Sequence, residues 1–322
     1  MKKLILFRLT FMAFLLMILN STLFALTTRY VKAGASGNGA SWSTPSGDLQ
    51  AMINASASGD QIWVAGGTYK PIYRADNMDG SNPNHVFNAF VLKKDVKIYG
   101  GFAGTENTLA ARNLSLTANA SILSGNLGDP ALNTDNAYHV VISAGDAGTG
   151  ELNGFTIKDG NASGADGSAI QVHGINIYLA YGGGMVNYSS SPVINNVTIS
   201  GNMAGVYGGG MFNFTSSSPV IKNAIISGNS AKYGGGIDNQ SNSSPVLTNV
   251  TISGNQVTQY GGGIENSVSC SPFLTNVTIS GNSSNYKGGA MSFTNSSSSI
   301  LVNSLLSGNT AGNSGGEAVY ID

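Results

Sequence analysis

Two carboxylates stand at matching places in consecutive segments of this chain: Asp238 in "GGGIDN" and Glu265 in "GGGIEN". If those segments stack, the two acids lie about one strand spacing apart, near 4.8 Å. Such a pair can hold a cation, share a proton so that one pKa rises, or act as acid and base on a sugar linkage. The corresponding positions elsewhere read as Val186, Phe212 and Met291, so neither a further carboxylate nor a base joins them. A solvated pair on an outer face is the expectation. The loop "RADNMDGSNPNH" (Arg74–His85) offers Asp76 and Asp79 as oxygen donors to calcium, at a spacing that matches no established calcium loop. His85, His139 and His173 are too scattered to make a metal site and read as surface or turn residues. The glycine triplets lead into no helix, which excludes a phosphate loop. No bound cofactor is implied beyond calcium at the acids.

What would position the pair is an internal repeat. Tyr181, Tyr207, Tyr233, Tyr260 and Tyr286 each open a unit, spaced by subtraction 26, 26, 27 and 26 residues. After the tyrosine come glycines, an apolar residue, a variable one and Asn. A Ser-rich turn, Pro, an apolar pair, Asn and a "VTISGN"-like phrase complete the unit. "LTNVTISGN" also fits a leucine-rich repeat, but that fold needs a helical half, and "YGGG" with "SSSP" has no 3.6-residue periodicity. Short β-type runs between Gly, Asn and Ser turns predict an all-β chain instead, a single-stranded right-handed parallel β-helix with one unit per coil. Gly and Asn tolerate the left-handed backbone that its bends require.

Stacking turns each repeated residue into a file. Asn202, Asn229, Asn255, Asn282 and Asn309 make one ladder; Asn196, Asn223, Asn249, Asn276 and Asn303 a second; Asn187, Asn213, Asn239 and Asn266 a third. Amides carry donors and acceptors, so such ladders satisfy turn polar groups. Interior files are expected through Ile194, Ile221, Leu247, Leu274 and Leu301, and through Ile199, Ile226, Ile252, Ile279 and Leu306. A third runs through Met185, Met211, Ile237 and Ile264 and ends at Ala290. The five tyrosines are expected to stack as a structural column.

Residues 1–25 read as a signal peptide: Lys2, Lys3 and Arg8, an apolar run over Leu9–Leu19, and an exit at Ala25. Residues 26–150 form an N-terminal cap and irregular coils. There "SGDLQAMINAS" predicts a short amphipathic helix with Leu49, Met52 and Ile53 on one face, covering an open sheet edge. Residues 151–322 hold the regular coils, with an uncapped last coil that allows end-to-end self-association. Basic and acidic residues number 15 and 16, so no attraction to nucleic acid or anionic membrane follows. No segment after residue 25 is suited to cross a bilayer as a helix. Hydrophobic content of 41% argues against disorder. Cys270, the sole cysteine, excludes an internal disulfide and falls where other units have Ser or Asn.

The phrases "YVKAGASGNGASW", "GDQIWVAGGTYKP" and "KIYGGFAGT" resemble exported bacterial proteins of the pectin-lyase-like right-handed β-helix superfamily. "ISGNxAxxYGGGI" is similar to repeats of chlamydial polymorphic outer-membrane proteins. Gly235-Gly236-Ile237 and Gly262-Gly263-Ile264 match their GGA-I motif, and Ile226–Asn229 and Ile252–Asn255 match F-x-x-N with Ile for Phe. A membrane barrel or sorting module of the kind such proteins carry is not visible. The resemblance implies secretion or outer-membrane-associated display, with surface glycans or a neighbouring cell as partner. The expected function is a non-catalytic adhesin-like scaffold or glycan-binding surface. The alternative within the same superfamily is a polysaccharide lyase or glycoside hydrolase, which needs clustered acids beside a base on one face.

Overall fold

The structure, a computed structural model, describes residues 26–78, 80–312 and 318–322. The segment read as a signal peptide and Asp79 therefore lie outside the described residues. A right-handed parallel β-helix is the architecture. Apart from one hairpin, every strand pair is parallel, and the described strands collect into sheets of fifteen, eight and six.

One coil shows why. Ile237–Gln240 lies in the eight-stranded sheet, Val246–Ser253 in the fifteen-stranded sheet and Gln256–Tyr260 in the six-stranded sheet. Ile264–Ser267 then begins the next coil directly beside Ile237–Gln240. Each strand is too short to be stable alone, and pairing with its copy in the next coil supplies its hydrogen bonds. Asn249 (φ 56°) bends the long strand, and Asn196, Asn223, Asn276 and Asn303 do the same in their coils. Asn adopts this left-handed conformation at less cost than most residues. At Gly263 the requirement is space: a Cβ there would sit 2.5 Å from the Ala290 carbonyl oxygen and 2.8 Å from Ile279 Cγ2.

Inside the tube, Ile194, Ile221, Leu247 and Leu274 align in register, and Leu301 continues the file in the last coil, where it is exposed. Ile199, Ile226, Ile252, Ile279 and Leu306 form the next file. The third file departs from expectation at its end. Ile264 pairs with Met291, not Ala290, and Tyr260 bridges to Lys287, not Tyr286. One additional residue in "YKGGAM" moves the register, because the larger Met fills the interior where Ala would leave a void.

The same shift edits the aromatic column. Tyr207–Tyr233 and Tyr233–Tyr260 are stacked with centroids 5.2 and 5.8 Å apart. Tyr320 continues the stack on Tyr260 at 5.5 Å, while Tyr286 meets Tyr260 edge-on.

The Asn202 ladder is buried. In it each side-chain nitrogen donates to the next amide oxygen at 2.9–3.0 Å and to a backbone carbonyl one coil back. The Asn187 ladder links four amides at 2.8–2.9 Å. At the N-terminal end, helix α1 (Leu49–Ala55) is capped by Asp48, whose carboxylate accepts from the Ala51 N–H at 2.9 Å. Its buried residues Leu49 and Ile53 close the interior. Among the described residues no helix is long and apolar enough to cross a membrane.

Candidate functional site

Asp238 and Glu265 occupy adjacent strands of the eight-stranded sheet, one register step apart. Interior Ile237 and Ile264 precede them, so the alternation of a strand turns both carboxylates to the outer face. Their file runs Ile142, Val186, Phe212, Asp238, Glu265, Ser292. Ser292, rather than Met291, is thus the next member beyond Glu265, a consequence of the register shift above.

Outward does not mean solvated here, which corrects the expectation. Asp238 is 0% and Glu265 4% exposed. A second apolar layer lies outside the tube wall, where the hairpin Ala169–Val172 and Ile175–Tyr178 covers Ile142 and Val186. Rings continue the cover: Phe212 contacts Tyr188, Tyr207 and Phe214. Over Asp238 itself the chain passes so closely at Gly234 that a Cβ there would lie 2.5 Å from the Asp238 Cβ. The glycine triplet therefore seals the file.

The electrostatic consequence is large. Neither Asp238 oxygen has a hydrogen-bond partner; the Gln240 amide is near enough to favour the ionised form but falls outside hydrogen-bond geometry. Burial holds the Asp238 pKa well above the usual carboxylate range, and that desolvation outweighs Gln240. Glu265 is raised well above its range by burial first and by the neighbouring Asp238 second. A Thr294 hydroxyl donating to Oε1 at 3.4 Å offsets part of this. Glu265 Oε2 and the Ser292 hydroxyl are also unpartnered. A charge in such a place without a counter-charge is very costly, so burial favours the protonated form of each acid. An acid sealed from solvent can store a proton but cannot reach a sugar linkage.

The other predicted residues are dispersed. Arg74 binds Asp76 through two hydrogen bonds of 2.9 and 2.6 Å, which hold Asp76 below the usual carboxylate range. His85 Nε2 lies 2.9 Å from Arg74 Nη1, and burial followed by that cation lowers its pKa. Asp76 thus serves a guanidinium. His139, expected at the surface or in a turn, is instead buried with Nδ1 3.0 Å from the Gly182 carbonyl, and burial pulls its pKa to about 4. His173 is exposed at the hairpin turn. Cys270 is buried, with its thiol pushed up to about 11 by burial. Among the described residues no group of three or more Asp, Glu, His or Cys is placed to hold a metal.

A cleft missed by sequence reasoning opens where three irregular coils meet. Lys93, Lys94, Asp146, Glu151, His173 and Ser190 help line a cavity of about 190 Å³. Its charges are engaged: Lys94 pairs with Asp146, and Lys93 donates to the Asn54 and Ser56 carbonyls. Ser143 and Ser190 hydroxyls meet at 2.6 Å on its floor. Apart from Ser190, whose copy in the next coil is Ser217, these residues come from segments without a common repeat, so no spacing announces them.

Stacked coils of 26–27 residues, parallel register and interior files define a β-helix protein. Consistently, residues 117–283 match the family described as right handed beta helix region, and the chain belongs to that family. Among solved structures, a pectin methylesterase from Aspergillus niger, in deglycosylated form, is similar at 13% identity with a TM-score of 0.41. The match covers 88% of this chain and 87% of that one. A search of curated proteins found no match.

Proposed function

We propose that this protein is a non-catalytic β-helix scaffold, exported and displayed outside the cell, whose outer face binds neutral glycans. The observation that supports this reading is the outer surface of the fifteen-stranded sheet. Ser200, Ser227, Ser253 and Ser280 share one unbroken row there, and Thr198, Thr251 and Thr278 lie in the row beside it, which exposed Ile225 interrupts; all seven hydroxyl residues are partly exposed. They alternate with interior Ile199, Ile226, Ile252 and Ile279, which fixes their direction outward. Hydroxyls repeated at about 4.8 Å suit a polymer of repeating hydroxyls better than a single small molecule. The most conspicuous acids of the regular coils, Asp238 and Glu265, are meanwhile buried.

Binding to a glycan array tests the reading. A Thr251→Val, Thr278→Val double variant is expected to keep its fold and to lose binding. Release of reducing ends or unsaturated sugars from polyuronates by the purified protein would replace it with a hydrolase or lyase.

A further inference from the structure

The loop over 125–137, "GNLGDPALNTDNA", leaves the strand Ser121–Ser124 and returns against Asn161. With Asp159, Gly160, Asn161 and Met203 it walls a polar cavity of about 360 Å³. Two residues lining that cavity carry buried amide oxygens with no donor. Asn136 is 6% and Asn161 3% exposed, and the Oδ1 atom of each is unpartnered. The orientation of Asn161 is set by its nitrogen, which donates to the Asn133 carbonyl at 2.7 Å, leaving oxygen as the free atom.

Carboxylates stand in the wall and in the loop that carries it. Asp159 lines the cavity and uses Oδ2 to accept from the Ser124 hydroxyl at 2.8 Å, beside Lys158 at 3.4 Å. Asp135 braces the loop by accepting from the Asp129 N–H at 2.9 Å through Oδ2, and its Oδ1 is a third buried oxygen without a donor. Asp129, Asp135 and Asp159 outnumber the ammonium groups nearby, Lys158 and Lys70, the latter held by Asn126 Oδ1 at 3.3 Å. The wall itself holds one carboxylate, Asp159, among Asn126, Asn133, Asn136 and Asn161, so it is rich in hard oxygen acceptors.

Native proteins pair buried acceptors with a donor or an ion. Calcium takes six to eight oxygens, including Asn amides, carboxylates, carbonyls and water, in a flexible arrangement, whereas magnesium demands a tighter octahedron. We propose that this cavity binds one calcium ion, with Asn136, Asn161 and Asp159 supplying protein oxygens and water completing the shell. The site lies far along the sequence from the Asp76 loop, whose carboxylate is committed to Arg74, and it does not depend on the glycan reading.

Calorimetric titration of the chelator-stripped protein with CaCl₂ tests it, alongside thermal unfolding with and without the ion. One ion per chain and a raised Tm are expected, with a far smaller response to MgCl₂ at equal concentration. Asn136→Ala and Asp159→Asn should each weaken calcium binding by about tenfold or more, while circular dichroism stays unchanged. Absence of both heat and Tm shift in the unmodified protein would mean that water alone fills the cavity, and would overturn the proposal. Undiminished binding in both variants would overturn it too, as would loss of binding in Asp238→Asn, which would place the ion at the buried pair.

Discussion

Replacing Asn255 by Ala isolates what the buried ladder contributes. Its Nδ2 donates to the Ile226 carbonyl and to Asn282 Oδ1, each at 2.9 Å. Its Oδ1 accepts from the backbone N–H and the side-chain nitrogen of Asn229, at 2.9 and 3.0 Å. Truncation strands the Asn229 N–H and the Ile226 carbonyl away from water. At about 1–3 kcal/mol for each of these two buried groups left unpaired, a loss of about 2–6 kcal/mol follows. Asn249→Ala is the internal control. Asn249 sits on the surface with two 3.2 Å side-chain contacts, and Ala at φ 56° suffers mainly the left-handed penalty of about 1–2 kcal/mol. Urea unfolding followed by circular dichroism compares the two, and amide hydrogen exchange locates the damage. Protection should collapse first at Asn229 and in the adjoining coils, because each coil contacts only its neighbours. If Asn249→Ala proved as destabilising as Asn255→Ala, satisfaction of buried turn groups would not be what the ladder does, and the reasoning would fail.

Two titrations should tilt stability in opposite directions. His139 titrates near 4 when folded against an ordinary 6.5, so its contribution is intact above pH 6.5 and is lost as pH falls toward 4, by up to about 3 kcal/mol. His139→Gln should flatten that acid limb in Tm measured against pH. Asp238 and Glu265 keep protons that the unfolded chain releases, so their contribution is present in acid and declines as pH rises past the ordinary carboxylate range. An Asp238→Asn, Glu265→Gln double variant should abolish that decline; an unchanged profile would show that the acids are hydrated. Among glycines, Gly263→Ala should cost more than about 2 kcal/mol, because its Cβ meets the Ala290 backbone. Gly254→Ala has open space and should cost only about 1–2 kcal/mol for its φ of 63°, a difference readable from Tm.

The β-helix was legible because its cause is periodic. Residues that recur once per coil must meet their copies, so Ile221, Leu247 and Leu274 reveal by spacing alone that they share a file. The same arithmetic places Asp238 beside Glu265. It misassigned Ala290 and Met291, since one additional residue in the final glycine run is absorbed by whichever side chain fills the interior, and only packing selects between them.

What tertiary structure alone decided is the environment of the acids and the company of the unrepeated residues. A strand pattern says that Asp238 faces away from the tube, but whether water waits outside depends on its aromatic register neighbour Phe212 and on the Gly234 backbone laid against it. Likewise Asn136 and Asn161 meet across a loop that shares no period with the coils. Local sequence determines direction and repeat, because these follow from backbone geometry. Burial, and with it the protonation of a carboxylate, belongs to whatever distant segment happens to cover it.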